Sequence, residues 1–180
     1  MRADAARNRD AVLDAAGHLL DTAPDPDMVS MDDVAAAAGV GKGTLFRHFG
    51  DRVGLLRALY EERGARLQEQ LRTLPPGRPA EQVLALLYAV LHFKIQNRTL
   101  TLALESSGGG SPYNNITYHD LHATLTELIT RARGPRSADF LAHALLAAVR
   151  SDLVTHLQEW PDERLYTGLA ELTEAVLEST

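Results

Sequence analysis

The 180-residue sequence predicts an all-α fold, and three observations support this prediction. Apolar residues recur every three or four positions through most of the chain, which is the period of an amphipathic helix. Proline and glycine separate these periodic stretches, for example at Pro24, at Pro26, at residues 75–79 and at Gly134-Pro135. No stretch alternates apolar and polar residues over a useful strand length. The sequence therefore predicts about nine helices.

The composition excludes several kinds of protein. Because the chain has no cysteine, it cannot form a disulfide, a thiolate zinc site or a cysteine nucleophile. Its longest apolar stretches, residues 83–91 and 141–149, are too short to span a bilayer, and the charged N-terminus lacks the apolar core of a signal peptide. We therefore expect a cytoplasmic protein with no membrane partner.

Charge is distributed unevenly along this acidic chain. A net charge of −6 argues at first against a nucleic-acid partner, because phosphate binding requires lysine and arginine. However, residues 34–60 contain Lys42, Arg47, Arg52 and Arg57 against Asp51 alone, and three more arginines lie within the first nine residues. Residues 10–33, in contrast, contain seven aspartates and no lysine or arginine. This local concentration of positive charge is typical of a selective DNA binder.

Residues 30–49 predict a helix-turn-helix. Ser30 followed by Asp33 is the pattern of a capping box, in which each residue bonds the backbone N–H of the other at a helix start. The Gly-Val-Gly sequence at residues 39–41 then interrupts the first helix, and a second short helix carries Leu45 and Phe49 on one face. A glycine-containing turn of this length allows two helices to pack at a steep angle.

The second helix of this motif carries polar residues suited to phosphates and base edges. Lys42, Thr44, Arg47 and His48 lie around its apolar positions, and Arg52 begins the next helix. The whole stretch resembles the DNA-binding domain of the tetracycline-repressor (TetR) family of transcriptional regulators. The residues that match the commonest family pattern are Val34-Ala35, Ala38-Gly39-Val40, Gly43-Thr44, Phe46, His48-Phe49 and Arg52.

The sequence departs from that pattern at three positions. Gly41 stands where the family usually has serine, so a hydroxyl cap is lost, and Phe46 stands for tyrosine, so a phosphate donor is lost. Arg52 stands for lysine and keeps the charge. These departures bear on DNA affinity and operator choice rather than on the fold.

The resemblance implies a DNA-binding transcriptional regulator, most often a ligand-responsive repressor, that binds a palindromic operator as a homodimer. It implies a three-helix DNA-binding domain at residues 1–51 and a ligand-binding and dimerisation domain at residues 52–180, with residues 52–74 as the connector helix. The Arg2–Arg9 segment would add charge as an arm. The expected DNA-binding residues are Ser30, Met31, Lys42, Gly43, Thr44, Phe46, Arg47, His48 and Arg52.

The last two predicted helices, around residues 138–160 and 163–177, are expected to form the dimer interface. Both are amphipathic and rich in leucine and alanine. In the resembled family this pair forms a four-helix interface between two copies, and a dimer can reach two half-sites about 34 Å apart. A monomer that covers its own core is the alternative.

The small-molecule site is expected in the C-terminal domain, where the resemblance places it. A mostly apolar lining with a few polar groups is usual for such a site, although each aromatic residue could instead belong to the ordinary core. The candidate ligand-binding residues are Tyr88, His92, Phe93, Gln96, Tyr118 and Trp160.

Catalysis and metal binding are not expected. The sequence contains no nucleophile elbow, no paired carboxylates on one helix face and no cofactor fingerprint, so we expect neither an enzyme nor a cofactor. His119 and His122 share a helix face, but zinc requires three or four convergent ligands, so no metal site is expected. Two alternatives remain: a helical protein-interaction module with a vestigial helix-turn-helix, and a metal-dependent helical enzyme.

Overall fold

The computed structural model describes residues 2–74, 76–106 and 116–178. Within these ranges the protein contains ten α-helices, one short 3-10 helix (Pro26–Met28) and no strand, which confirms the all-α prediction. The α-helices are α1 (Arg2–Thr22), α2 (Met31–Ala37), α3 (Lys42–Phe49), α4 (Arg52–Arg72), α5 (Pro79–Gln96), α6 (Arg98–Ser106), α7 (Ile116–Arg133), α8 (Ala138–Ala148), α9 (Ser151–His156) and α10 (Asp162–Glu178).

Most helix ends lie where proline and glycine predicted them. Helix α4 ends before Pro76 and Gly77, and α5 begins at Pro79, where a missing backbone N–H is tolerated. After α7 the chain reverses at Gly134, whose φ of 92° is accessible mainly to glycine. The sequence of residues 106–115 also predicts an exposed loop; Ser106 instead ends α6, and the rest of this loop lies outside the described residues.

One sequence expectation about the helices is wrong. The helix predicted for residues 138–160 is divided into α8 and α9, because Arg150 adopts an extended conformation (φ −67°, ψ 146°). The Arg150 guanidinium binds the Asp152 carboxylate at 3.0 and 2.8 Å, and this hydrogen bond lowers the pKa of Asp152. Serine and aspartate at 151–152 are typical of a helix start, a local sequence feature that the apolar periodicity obscured.

The chain divides into two compact units. Unit 1 comprises Met1–Arg66 and Thr99–Gly109, and unit 2 comprises Leu67–Arg98 and Gly110–Thr180. Unit 1 is therefore assembled from two separate segments of the chain. The predicted functional division after residue 51 stays a prediction.

Unit 1 has an apolar core to which each of its α-helices contributes. Four leucines, Leu13, Leu20, Leu45 and Leu59, are almost completely buried there. The core residues are Val12, Leu13, Ala16 and Leu20 of α1, Val34 and Ala35 of α2, Leu45 and Phe49 of α3, Leu55, Leu56 and Leu59 of α4, and Leu100 and Ala103 of α6. This core fixes which face of α3 is left exposed.

In unit 2, α5 packs against α7, α9 and α10, and α7 packs against α8, so α5 is the central helix of this unit. Val83, Leu86 and Leu87 of α5 are completely buried, as are Leu125 and Ile129 of α7. Among the described helices, none is both long and apolar enough to cross a membrane.

Candidate nucleic-acid interface

The N-terminus of α2 is a capping box, as the sequence predicted. Ser30 Oγ accepts a hydrogen bond from Asp33 N at 3.2 Å, and Asp33 Oδ2 accepts one from Ser30 N at 3.0 Å. The Ser30 hydroxyl and backbone N–H both stabilise the ionised carboxylate, so they hold the pKa of Asp33 below its usual value. The contribution of this cap to stability is thus present at neutral pH and is lost as the pH falls through the lowered pKa.

The turn between α2 and α3 depends on glycine. Gly39 has a φ of 65°, and Val40 N donates to Ala35 O at 3.0 Å, so the chain leaves the helix where the sequence predicted. Gly41 is the N-cap of α3, and no side chain caps this end. Because glycine has no hydroxyl, the free N–H groups at the start of α3 remain available to an anion such as a DNA phosphate.

Helix α3 has one buried and one exposed face. Leu45 is completely buried and Phe49 is 8% exposed, and both belong to the unit 1 core. Lys42, Phe46 and Arg47 are exposed, with Phe46 at 47%, and Arg47 lies opposite the two buried side chains. Gly43 is also exposed, so the backbone of the first turn is accessible. The polar face predicted from the sequence therefore points outward from unit 1.

Other expected DNA-binding residues are less accessible or already paired. Thr44 is half-buried, and His48 Nε2 is shielded and has no hydrogen-bond partner within the described part of the chain. Lys42 Nζ forms an ion pair with the Asp32 carboxylate. Both side chains of that pair are more than half exposed, so the pair is weak and can be exchanged for a phosphate. Ser30 is exposed and Met31 is half-buried at the start of α2.

Arg52 binds the backbone of the loop before α2. Its Nη2 donates to Pro26 O at 2.6 Å, its Nε donates to Val29 O at 3.2 Å, and the Asp27 carboxylate lies 3.5 Å away. These bonds occupy much of the guanidinium that the resemblance assigned to DNA. Sequence reasoning missed this role because Pro26 and Arg52 are 26 residues apart and only the tertiary fold brings them together.

Unit 2 contains an apolar cleft with a volume of about 150 Å³. Trp160 forms part of its wall, and the guanidinium carbon of Arg164 lies 3.6 Å from the Trp160 ring centroid, which is a cation–π contact. The lining residues come from α5, α8, α9 and α10 and from the segment between α9 and α10; they are Leu91, Ala148, Leu153, Val154, Leu157, Trp160, Arg164, Leu165, Gly168, Leu169 and Leu172.

Of the six predicted ligand-binding residues, only Trp160 lines this cleft. Tyr88 and His92 instead contact Tyr166: Tyr88 Oη donates to Tyr166 O at 3.2 Å, and His92 Nδ1 lies 3.1 Å from Tyr166 Oη. Burial, together with the nearby Asp162 charge, raises the pKa of Tyr166. The ligand role of the five residues outside the cleft stays a prediction.

The other three candidates lie in different surroundings. Phe93 is buried in α5, Gln96 is exposed at the end of α5, and Tyr118 lies beside His143, with Tyr118 Oη 2.6 Å from His143 Nδ1. Sequence reasoning missed Arg164 and the leucines of the cleft. The one available local pattern was the four-residue spacing of Trp160 and Arg164, which suits a cation over an aromatic ring.

Comparisons with known proteins agree with this geometry. The family model described as bacterial regulatory proteins, tetR family, matches residues 12–59. The chain is 27% identical over 182 residues to the HTH-type transcriptional regulator SAR0097 of Staphylococcus aureus, a match that covers 95% of this chain and 94% of the relative. It is 47% identical over 53 residues to the HTH-type transcriptional repressor LfrR of Mycolicibacterium smegmatis, which covers 29% of this chain and 26% of LfrR.

Two solved structures with the same fold match almost the full length of the chain. A transcriptional regulator from Rhodococcus sp. Rha1 has a TM-score of 0.75 at 20% identity, and the match covers 97% of this chain and 96% of that one. LfrR from Mycobacterium smegmatis in complex with proflavine has a TM-score of 0.63 at 21% identity, with 97% and 98% covered. At these identities the likeness shows the fold alone.

The family match covers the helix-turn-helix and the helices that support it. It spans residues 12–59, which run from α1 to α4 and include the exposed face of α3. Members of this family are transcriptional regulators rather than enzymes; they bind DNA, dimerise and bind small-molecule ligands. The helix-turn-helix geometry and the match over residues 12–59 together show that this chain carries a tetR-family DNA-binding domain and is a DNA-binding transcriptional regulator.

Proposed function

We propose that the chain is a ligand-responsive repressor that binds a near-palindromic DNA operator as a homodimer. The observation that carries this proposal is the exposed face of α3, which presents Lys42 and Arg47 while Leu45 anchors the helix in the core. A short helix held in this way can enter the major groove with its polar side toward the base edges. Such a role places the protein in the cytoplasm, where the operator would be.

The residues of this face have different expected roles. Arg47 is exposed in the last turn of α3, so it can reach a guanine edge or a phosphate. Phe46 has no hydroxyl to donate to a phosphate, and its exposed ring instead suits contact with a thymine methyl group. The first turn of α3 offers backbone N–H groups and Lys42 to the DNA backbone. We assign Arg52 to holding the loop at residues 26–29 rather than to direct DNA contact.

Exposed apolar side chains support dimerisation through residues 138–160 and 163–177. Phe140 is 73% exposed on α8, and Leu153, Trp160 and Leu172 are also exposed. A cluster of exposed apolar side chains on neighbouring elements is typical of a protein interface. Leu153, Trp160 and Leu172 also line the cleft, so we place the main dimer contact on the Phe140 side of α8 and the effector in the cleft.

The repressor proposal is tested by footprinting the untagged full chain on DNA that surrounds its own reading frame. We expect protection of a near-palindromic site with half-sites about 34 Å apart, and affinity that falls steeply with salt because phosphate contacts release counterions. A protected site without internal symmetry would contradict the homodimer. The absence of any protected site at low salt would instead favour the protein-interaction module.

The cleft suits a flat or branched apolar effector, because leucine, valine and the Trp160 ring form most of its wall. LfrR, which shares this fold, was solved with proflavine, a flat aromatic compound. An effector releases DNA only if it binds the non-DNA conformation more tightly than the DNA-bound one, since equal binding to both shifts nothing.

Filling the cleft should abolish the response to effector while operator affinity is retained. Gly168 lines the cleft, and a Cβ added there would meet no heavy atom within 4 Å, so Gly168→Leu introduces a side chain without a backbone clash. Proflavine is a suitable first probe in calorimetric titrations without DNA, which it would intercalate. We expect binding by the wild type and Gly168→Ala, and none by Gly168→Leu; equal binding by all three would remove the effector from this cleft.

A further inference from the structure

Helices α7 and α8 bring together four side chains that lie outside both α3 and the cleft. Tyr118 and His122 lie one turn apart on α7, and Asp139 and His143 lie one turn apart on α8, so each pair shares one face of its helix. We call these four residues the α7–α8 cluster. Each of His122, Asp139 and His143 offers one ligand atom, and these atoms all lie within 4.8 Å of one another.

We propose that His122, Asp139 and His143 bind one divalent transition-metal ion, with Zn²⁺ as the preferred ion. Two imidazoles and one carboxylate are ligands that suit zinc and its neighbours among the transition metals. Three protein ligands also leave a fourth position open for water or another group. The chain has no cysteine, so no thiolate site competes with these nitrogen and oxygen ligands for the ion.

The distances in the cluster require only side-chain movement to reach metal geometry. Zinc bonds to nitrogen and oxygen are about 2.0–2.2 Å long, so two ligands of a tetrahedral ion are about 3.4 Å apart. His122 Nε2 already lies 3.5 Å from Asp139 Oδ1. The Asp139 side chain is 79% exposed, so it can rotate freely toward the histidines.

The two imidazole rings are already close to each other. The His122 and His143 ring centroids are 3.8 Å apart with an interplanar angle of 27°. In this arrangement His122 Nε2 contacts Asp139 O at 3.2 Å. An ion bound at the ring edges, in the plane of each imidazole, would replace this weak contact with one metal–nitrogen bond from each ring. Coordination would then hold α7 against α8 in addition to their helix packing.

Tyr118 provides the hydrogen bond that a metal-ligating histidine usually makes through its other ring nitrogen. Its Oη lies 2.6 Å from His143 Nδ1. When the proton is on Nδ1, His143 donates to Tyr118 Oη, and the lone pair of Nε2 is directed away from that bond and is free for the metal. The Tyr118 and His143 rings are close to parallel, at 17°, which limits rotation of the imidazole.

His119 is the matched control. It lies one turn before His122 on the same helix and is exposed, but it is not part of the group of three convergent ligands. The sequence paired His119 with His122 and found too few ligands. The structure instead pairs His122 with His143, which lies on another helix.

The test uses the full chain with any histidine tag removed and dialysed against chelator. Calorimetric titration with Zn²⁺ should show one ion per chain, and Co²⁺ in its place should give the visible absorption of a tetrahedral site. Loss of an outer-shell partner usually weakens metal binding by about 10–100-fold, and we expect a loss of Zn²⁺ affinity in this range for Tyr118→Phe. His143→Gln and His122→Gln each remove a ligand, so each should weaken Zn²⁺ binding by more than that. His119→Gln should bind like the wild type.

A second measurement separates loss of the site from loss of the fold. Zn²⁺ should raise the melting temperature of the wild type and of His119→Gln, because a ligand of the folded state stabilises it, and should leave that of His143→Gln unchanged. Circular dichroism without metal should be the same for all variants. Absence of stoichiometric binding by the wild type would overturn the proposal, as would binding that survives in His143→Gln or disappears in His119→Gln. Because no DNA is present, these outcomes do not depend on the repressor proposal.

Discussion

Gly54→Ala should lower the free energy of unfolding by about 1–3 kcal/mol, the range for an added methyl group that a packed site cannot accept. A Cβ at Gly54 would overlap the carbonyl oxygen of Phe49, the last residue of α3. The obstructing atom belongs to the backbone, so a side-chain rotation cannot relieve the clash. Asp51 Oδ1 also accepts a hydrogen bond from Gly54 N at 2.8 Å, which fixes the start of α4 against the end of α3.

Gly64→Ala provides the matched control within α4. A Cβ there would meet no heavy atom within 4 Å, so we expect stability to be unchanged or raised by up to about 1 kcal/mol through helix propensity. Chemical denaturation should be followed by circular dichroism and by the fluorescence of Trp160, the only tryptophan, which lies in unit 2. Should Gly54→Ala and Gly64→Ala have equal stability, the close approach of α4 to Phe49 would be contradicted.

Arg47→Ala should weaken specific operator binding by about 1–3 kcal/mol, a loss of about 5- to 150-fold, if Arg47 reads a base. The side chain is exposed on the face of α3 opposite Leu45 and Phe49, where it can enter a groove without any rearrangement of the unit 1 core. Affinity for the operator and for random DNA should be measured at the same salt concentration, because the contribution of phosphate contacts to affinity itself changes with salt.

Arg136→Ala is the control for this measurement. It removes the same charge from an exposed position in unit 2, which does not contain α3, so operator affinity should change little. A loss for Arg47→Ala that is equal on operator and random DNA would assign Arg47 to the phosphates. No loss on either DNA would contradict the placement of α3 in the groove.

Sequence reasoning worked where local chemistry decides the structure. The capping box of Ser30 and Asp33 spans four residues, and the reversal at Gly39 depends on one residue, so both could be predicted from the sequence. The exposed face of α3 also followed from the spacing of Leu45 and Phe49, because residues four apart share one side of a helix.

Sequence reasoning failed where distant segments meet. The cleft is formed by residues of α5, α8, α9 and α10, and their arrangement is set by packing rather than by spacing, so Trp160 alone was found there. His122 and His143 belong to helices joined by a reversal at Gly134, and no local pattern pairs them. The bonds from Arg52 to Pro26 and Val29 were missed for the same reason, since a charged residue beside the motif resembles a DNA contact in sequence.

Unit 1 is assembled from two separate segments of the chain, and this affects how the protein can be engineered. Leu100 is completely buried in the same core as Leu45, although 55 residues of sequence, counted as the difference of their numbers, separate them. A fragment cut after α4 would lack Leu100 and Ala103 and would expose the apolar surface that these residues cover. To build a chimaeric regulator with a foreign sensor domain, the α6 residues should therefore be transferred together with residues 1–66. A single crossover point would leave the DNA-binding unit without part of its own core.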